Sequence, residues 1–113
     1  MPRDEATIVD ILKAARLAAT FVAGLDKAAF SLDVKTQSAI LHQLLVLGEA
    51  VTRLSDEFRA HHPQIPWRQI AGMRNILIHQ YDEVDLDEVW KTVRTDIPAV
   101  IAQIEPLVSP DIA

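Results

Sequence analysis

The chain has 113 residues, half of them hydrophobic, no cysteine, and a formal net charge of −5. That length suits a single domain over 1–113, and the apolar surplus in so small a body points to a partner surface. Without cysteine there is no disulfide framework and no thiolate zinc site, and the negative balance argues against a protein that grips nucleic acid over a wide surface.

Residues Met1–Glu5 start charged and lack the apolar centre of a signal peptide. The purely apolar runs are far shorter than the roughly 20 residues needed to cross a bilayer. A soluble cytoplasmic protein is therefore expected.

Apolar spacing is helical nearly throughout, and no sustained alternation marks a strand. A first helix is predicted from about Asp4 to Ala23. Its stripe is Ile8, Ile11, Leu12, Ala15, Ala18, Ala19 and Val22, and Gly24 is its candidate cap. The alanine-rich half would let a neighbouring helix approach closely.

A second, long helix is predicted from about Val34 to Ala60, with Ser31 or Asp33 as N-cap. Ile40, Leu44, Leu47, Val51, Leu54 and Phe58 form one stripe, and Leu41, Leu45 and Gly48 a second. Two stripes imply cover on more than one side. Gly48 costs a helix about 1 kcal/mol relative to alanine, and a close crossing there would be a reason to tolerate it.

After a connection at His61–Ile65, Pro66 can open a third helix, which carries Trp67, Ile70, Met73 and Leu77 and ends near His79. Consecutive Ile76, Leu77 and Ile78 predict burial nearly all round. A fourth helix opens at Asp85, paired with Glu88 as a capping box. Leu86, Val89, Trp90, Val93, Ile97, Val100, Ile101, Ile104 and Leu107 form its stripe. Pro98 should kink or divide it, and Pro106 and Pro110 should end it. The expected fold is all-α, an antiparallel bundle of four to five helices that dimerises through the third and fourth.

Charge is unevenly spread. From Arg53 to His79 stand four arginines and three histidines against Asp56 and Glu57; from Asp82 to Asp96 stand six acids against Lys91 and Arg94. This suits a single phosphate contact.

Arg74, Asn75 and His79 are the residues that could carry chemistry. Histidine titrates near neutrality and can take the proton of an RNA 2′-hydroxyl. Arginine presents a planar fork that matches phosphate oxygens. Asn75 could orient the histidine or donate to the phosphate. Asn75 and His79 share a helix face, whereas Arg74 and His79 diverge by about 140°. They converge only if the arginine arm swings round or the helix loosens. From spacing alone, a helix-end histidine and an ion-paired arginine are the commoner reading, since such pairs are frequent in helices. Glu49 could pair with Arg74 or Arg53, or stand in solvent. His61 and His62 are adjacent, point apart and make no zinc half-site. His42 is peripheral, and Trp67 and Trp90 belong to the core.

Arg74-Asn75 followed by His79 and Tyr81 resembles the R-N-x3-H-x-Y form of the HEPN signature. The likeness extends to Leu47-Gly48-Glu49-Ala50, to Ile65-Pro66-Trp67 with Ile70-Ala71-Gly72-Met73, and to Tyr81-Asp82-Glu83-Val84-Asp85, Val89-Trp90 and Asp96-Ile97-Pro98. Together they resemble HepT-like HEPN proteins over about residues 4 to 108. Leu47 departs mildly from the usual isoleucine. The resemblance implies a dimeric helical bundle whose two motifs meet across a cleft. It implies a metal-independent ribonuclease toxin that needs no cofactor, with RNA as substrate and Arg74, Asn75 and His79 at the site. It further implies an MntA-like nucleotidyltransferase antitoxin that transfers AMP to the motif tyrosine, here Tyr81. The alternative is a non-catalytic helical module that binds such a nucleotidyltransferase or a nucleotide.

Overall fold

The apolar stripe of the first helix forms the centre of the molecule. A computed structural model describes residues 2–108. In it α1 spans Pro2–Val22, and Ile8, Ile11, Leu12, Ala15, Ala18 and Val22 are all buried. Gly24, at φ +81°, turns the chain in the left-handed region open to glycine.

A short helix absent from the sequence expectation follows: α2, Lys27–Leu32, capped by the Asp26 carboxylate on the Ala29 N–H. It seats Phe30 in the core, where the ring lies 5.4 Å from Trp90. Ser31 lies within α2. Asp33 caps the next helix, α3, Val34–Thr52, by accepting from the Thr36 N–H.

The long second helix expected from Val34 to Ala60 is broken. α3 stops at Thr52, and α4, Asp56–His61, begins after Ser55. The cause lies on the neighbouring helix α1. Asp4, buried at the start of α1, accepts from the Ser55 N–H at 3.0 Å and the Ser55 hydroxyl at 2.7 Å. The same Ser55 oxygen caps α4 by accepting from the Phe58 N–H. The hydroxyl bond first and the backbone bond second hold the Asp4 carboxyl below its usual value. The contact also sets direction: the start of α1 meets the end of α3, so the two run antiparallel.

α5 spans Trp67–His79, with Pro66 as the residue before its first turn. The Trp67 indole N–H donates to the carbonyls of Arg59 and His62 and so ties α5 to the preceding connection. A 3₁₀ turn at Tyr81–Glu83 leads to α6, Leu86–Lys91. Asp85 caps α6 by accepting from the Asp87 N–H, a tighter contact than the capping box with Glu88 expected. Pro98 does divide the fourth helix. It lacks an N–H and would crowd the carbonyl of Arg94 in an α-helix, and a π-helical turn at Thr92–Asp96 precedes it. There the Ile97 N–H reaches back to the Thr92 carbonyl. α7 then spans Ile97–Ile104, followed by a 3₁₀ turn containing Pro106. Pro110 lies outside the described residues.

α3 packs on both α1 and α5, and α7 packs on α1. α5 and α7 barely meet, so a groove runs between them. A cavity of about 340 Å³ there is floored by Leu44 and Leu47 and walled by Ile70, Met73, Ile97 and Val100. Within the single chain, only Leu77 of the Ile76-Leu77-Ile78 run is buried; Ile76 and Ile78 are 44% and 41% exposed. The expectation of burial all round therefore fails for the isolated chain. Only the Leu77 side of α5 has a helix to pack against. Among the described residues no strand occurs, and no helix is long and apolar enough to cross a membrane.

Candidate active site on helix α5

α3 and α5 cross at Gly48. A Cβ placed there would overlap the Arg74 Cβ and lie 3.3 Å from the Arg74 Cα. Glycine is thus required because another backbone-bound atom occupies the space, and Arg74 is fixed at its root. The next residue fixes its arm. Arg74 Nε–H donates to Glu49 Oε1 at 3.1 Å, and Arg74 Nη1–H donates to Asn75 Oδ1 at 2.9 Å. Among the described residues Nη2 has no partner. It is the free edge of the fork.

The Asn75 bond answers a question left open by helical arithmetic. It draws the guanidinium round toward the face that Asn75 shares with His79. The helix does not loosen: the Gln80 N–H still bonds to the Ile76 carbonyl. Among the described residues no hydrogen bond joins His79 to Arg74. His79 is the last residue of α5 and is exposed. Tyr81, two residues on, is 56% exposed in the 3₁₀ turn. Exposed Asp82 and Glu83 lie beside it. The structure thus brings Arg74 and Asn75 into one cluster and leaves His79 and Tyr81 open at the helix end. Sequence reasoning left Glu49 undecided between an ion pair and solvent. Its partner is Arg74, whereas Arg53 pairs with Asp10 at 3.6 Å.

The other histidines stay apart from this cluster. His61 Nδ1 contacts the Glu57 carbonyl, His62 stacks near Phe58, and His42 is exposed. Among the described residues no group of three or more His, Cys, Asp or Glu side chains is placed to hold a metal ion.

The profile of the HepT-like ribonucleases matches residues 11–107. The chain belongs to the HepT-like ribonuclease family. A Thermococcus cleftensis protein named "Probable ribonuclease HepT" is 41% identical over 98 residues, covering 87% of this chain and 89% of the relative. Two others are named as candidate RNases. One, from Methanocaldococcus jannaschii, is 33% identical over 89% of this chain and 93% of its own length. The other, from Caldanaerobacter subterraneus, is 37% identical over 76% of this chain and 77% of its own length. No solved structure gives a significant match. Membership in this family makes RNA cleavage the activity class in which the Arg74 cluster is to be understood.

Proposed function

We propose that this HepT-like protein is a metal-independent endoribonuclease toxin whose site is built from Arg74, Asn75 and His79 at a homodimer cleft. The observation that carries the reading is the held arginine: Glu49 and Asn75 grip two edges of its fork, and among the described residues Nη2 has no partner. A guanidinium fixed in this way presents charge to a phosphate without reorganising during the reaction.

In this mechanism neutral His79 takes the proton from the RNA 2′-hydroxyl. The 2′-oxygen attacks the adjacent phosphorus, the bond to the 5′-oxygen breaks, and that oxygen leaves with a proton taken from water. The products are a 2′,3′-cyclic phosphate and a 5′-hydroxyl. Arg74 neutralises charge on the phosphate oxygens as the new bond forms, and Asn75 keeps the fork turned toward His79. No metal takes part in these steps. The groove between α5 and α7, together with the exposed Ile76 and Ile78 elsewhere on α5, supports a second copy as the cover.

Regulation follows from Tyr81. An MntA-like nucleotidyltransferase transfers AMP from ATP to its phenolic oxygen, and pyrophosphate leaves. The added phosphate is repelled by Asp82 and Glu83 and held toward Arg74, where the substrate phosphate must bind. The reading places the protein in a toxin–antitoxin pair acting on cytoplasmic RNA.

The test is cleavage of single-stranded RNA by purified protein in EDTA. Cyclic-phosphate ends and loss of cleavage in His79→Ala are expected. Abolition by EDTA, or an active His79→Ala protein, overturns the mechanism. Tyr81→Phe should still cleave RNA yet take no AMP from the partner enzyme and ATP. Normal modification of that variant, read by mass spectrometry, removes Tyr81 from the scheme.

A further inference from the structure

The basic segment Arg53–His79 loses most of its charge once its ion pairs are drawn. Arg53 is paired with Asp10, Arg59 with Asp56 and Arg74 with Glu49. Arg68 is the exception. It is exposed on α5 and, among the described residues, has neither an ion pair nor a hydrogen bond. In a chain of net charge −5, an arginine left without an acid near the candidate site is the local positive feature.

Its position on α5 is equally specific. At about 100° per residue, Arg68 falls within about 20° of both Asn75 and His79, and Gly72 lies between them within about 40° of Arg68. These four residues form one line along the side of α5 opposite buried Leu77. Arg68, Asn75 and His79 are exposed. Gly72 is a notch in that line, because a Cβ added there would meet nothing within 4 Å. A strand lying along the helix could pass Gly72 close to its backbone.

We propose that Arg68, across the Gly72 notch, is a second RNA-phosphate site that binds a phosphate flanking the scissile one. This rests on the ribonuclease reading above and adds to it how substrate is held. Arg68 and Arg74 are six residues apart, on the order of 9 Å along the helix axis and about 120° apart around it. With the Arg74 arm held by Glu49 and Asn75, Arg68 serves a different nucleotide from Arg74. The occupant is single-stranded RNA backbone, recognised by charge and not by base. Arg68 sets the register and affinity of the strand, and Arg74 and His79 act on the bond within reach.

Substrate length provides the test. Cleavage is measured on a dinucleotide, which has one phosphate, and on a longer single strand, for wild type, Arg68→Ala, Arg68→Lys and Gly72→Glu. On the longer strand Arg68→Ala should raise KM about three- to tenfold with kcat unchanged. The slope of log affinity against log salt should fall by about 0.7. On the dinucleotide the same variant should match wild type. Arg68→Lys should recover most of the loss, since a point charge suffices for one flanking phosphate. Gly72→Glu puts a carboxylate into open space in the line, so it should weaken binding of the longer strand without lowering the melting temperature. Unchanged KM and salt slope in Arg68→Ala on the longer strand overturn the proposal. An equal loss on the dinucleotide also does, because it places Arg68 at the scissile phosphate or in the fold. If wild type cleaves neither substrate, the ribonuclease reading fails. Fluorescence anisotropy with a non-cleavable 2′-deoxy strand then decides Arg68 separately: a normal salt slope in Arg68→Ala rules it out.

Discussion

Arg74 and His79 sit on one helix, little more than a turn apart, and the protein treats them in opposite ways. Arg74 is rooted against Gly48, gripped by Glu49 and tied to Asn75. His79 ends the helix in solvent. Within the single chain, the group that would bear the phosphate charge is preorganised, and the group that would move the proton is not. An arginine fork benefits from fixation because its charge is permanent and its geometry carries the selectivity. A histidine that exchanges protons gains from exposure, because its charge must change. Within the single chain the histidine half of the candidate site is thus open to solvent.

Removing either residue should give the largest effect, a loss of RNA cleavage of about 10² to 10⁴. Stability separates the two. Arg74→Ala leaves Glu49 without its partner and should cost about 1 kcal/mol in urea unfolding. His79→Ala removes an exposed side chain and should stay within about 0.5 kcal/mol of wild type. Equal destabilisation by both variants would break the comparison.

Gly48→Ala attacks the root of the arginine and should have the next largest effect. The new methyl would meet Arg74 Cβ, an atom that no rotamer can move away, so α3 and α5 must separate. Overpacking of this kind costs about 1 to 3 kcal/mol, offset in part by about 1 kcal/mol of helix propensity. Cleavage should fall at least about tenfold, because a displacement of on the order of 1 Å at a positioned group has that effect or more. A Gly48→Ala protein with full kcat would show that the crossing serves packing alone.

Much of this was legible from sequence. Gly48 pointed to a close crossing, because a glycine costs a helix about 1 kcal/mol and a crossing is a reason to tolerate it. The end of α5 at His79, the Gly24 turn and the division at Pro98 follow from local chemistry, and each was readable. The break at Ser55 was not. Leu47, Val51, Leu54 and Phe58 continue the apolar spacing across it, and its cause is a carboxylate 51 residues away. Periodicity reports which side of a segment is apolar and is silent about a hydrogen bond that interrupts the backbone. Short α2 escaped for a related reason: six residues hold too little of a pattern. Ile76 and Ile78 misled in the other direction, because an apolar run does not say whether the cover comes from the same chain. Glu49 stayed undecided because two arginines were in plausible reach by sequence.

A smaller effect should come from loosening the grip without removing the arginine. Glu49→Gln keeps an acceptor for Arg74 Nε–H and loses the charge, whereas Glu49→Ala loses both. The pair is partly exposed, with side chains 28% and 39% accessible, so its energy is about 1 kcal/mol or less. Glu49→Ala should lower kcat about three- to tenfold, and Glu49→Gln by less. The loss should vanish when Arg74 is already alanine, and binding of a non-cleavable strand reads that cycle. Persistence of the Glu49→Ala effect in the double variant would assign Glu49 a role of its own and remove it as the holder of Arg74.

The smallest effect on the site should come from the break between α3 and α4, and it serves as the control. Asp4 and Ser55 join α1 to that break, and among the described residues no hydrogen bond links them to Arg74, Asn75 or Glu49. Ser55→Ala removes the cap on α4 and one of two bonds to Asp4, and should cost about 1 kcal/mol while leaving cleavage at wild-type level. The acid limb of stability tests the same contact. The Asp4 carboxyl is held below its ordinary value by Ser55, so the folded state favours the charged form. Its contribution is therefore fully present above the unfolded carboxylate value of about 3.9 and is lost as pH falls through the lower folded value. Asp4→Asn should lower the urea midpoint at neutral pH and flatten its fall toward about pH 3, since the group that titrates is gone. A variant as stable as wild type at neutral pH, or one whose acid limb is unchanged, would show that the buried Asp4–Ser55 contact does not govern the break. If instead cleavage dropped with these changes, the sensitivity of the site would reach beyond the Arg74 cluster. The contrast between a held arginine and a free histidine would then describe a property of the whole bundle and not of α5.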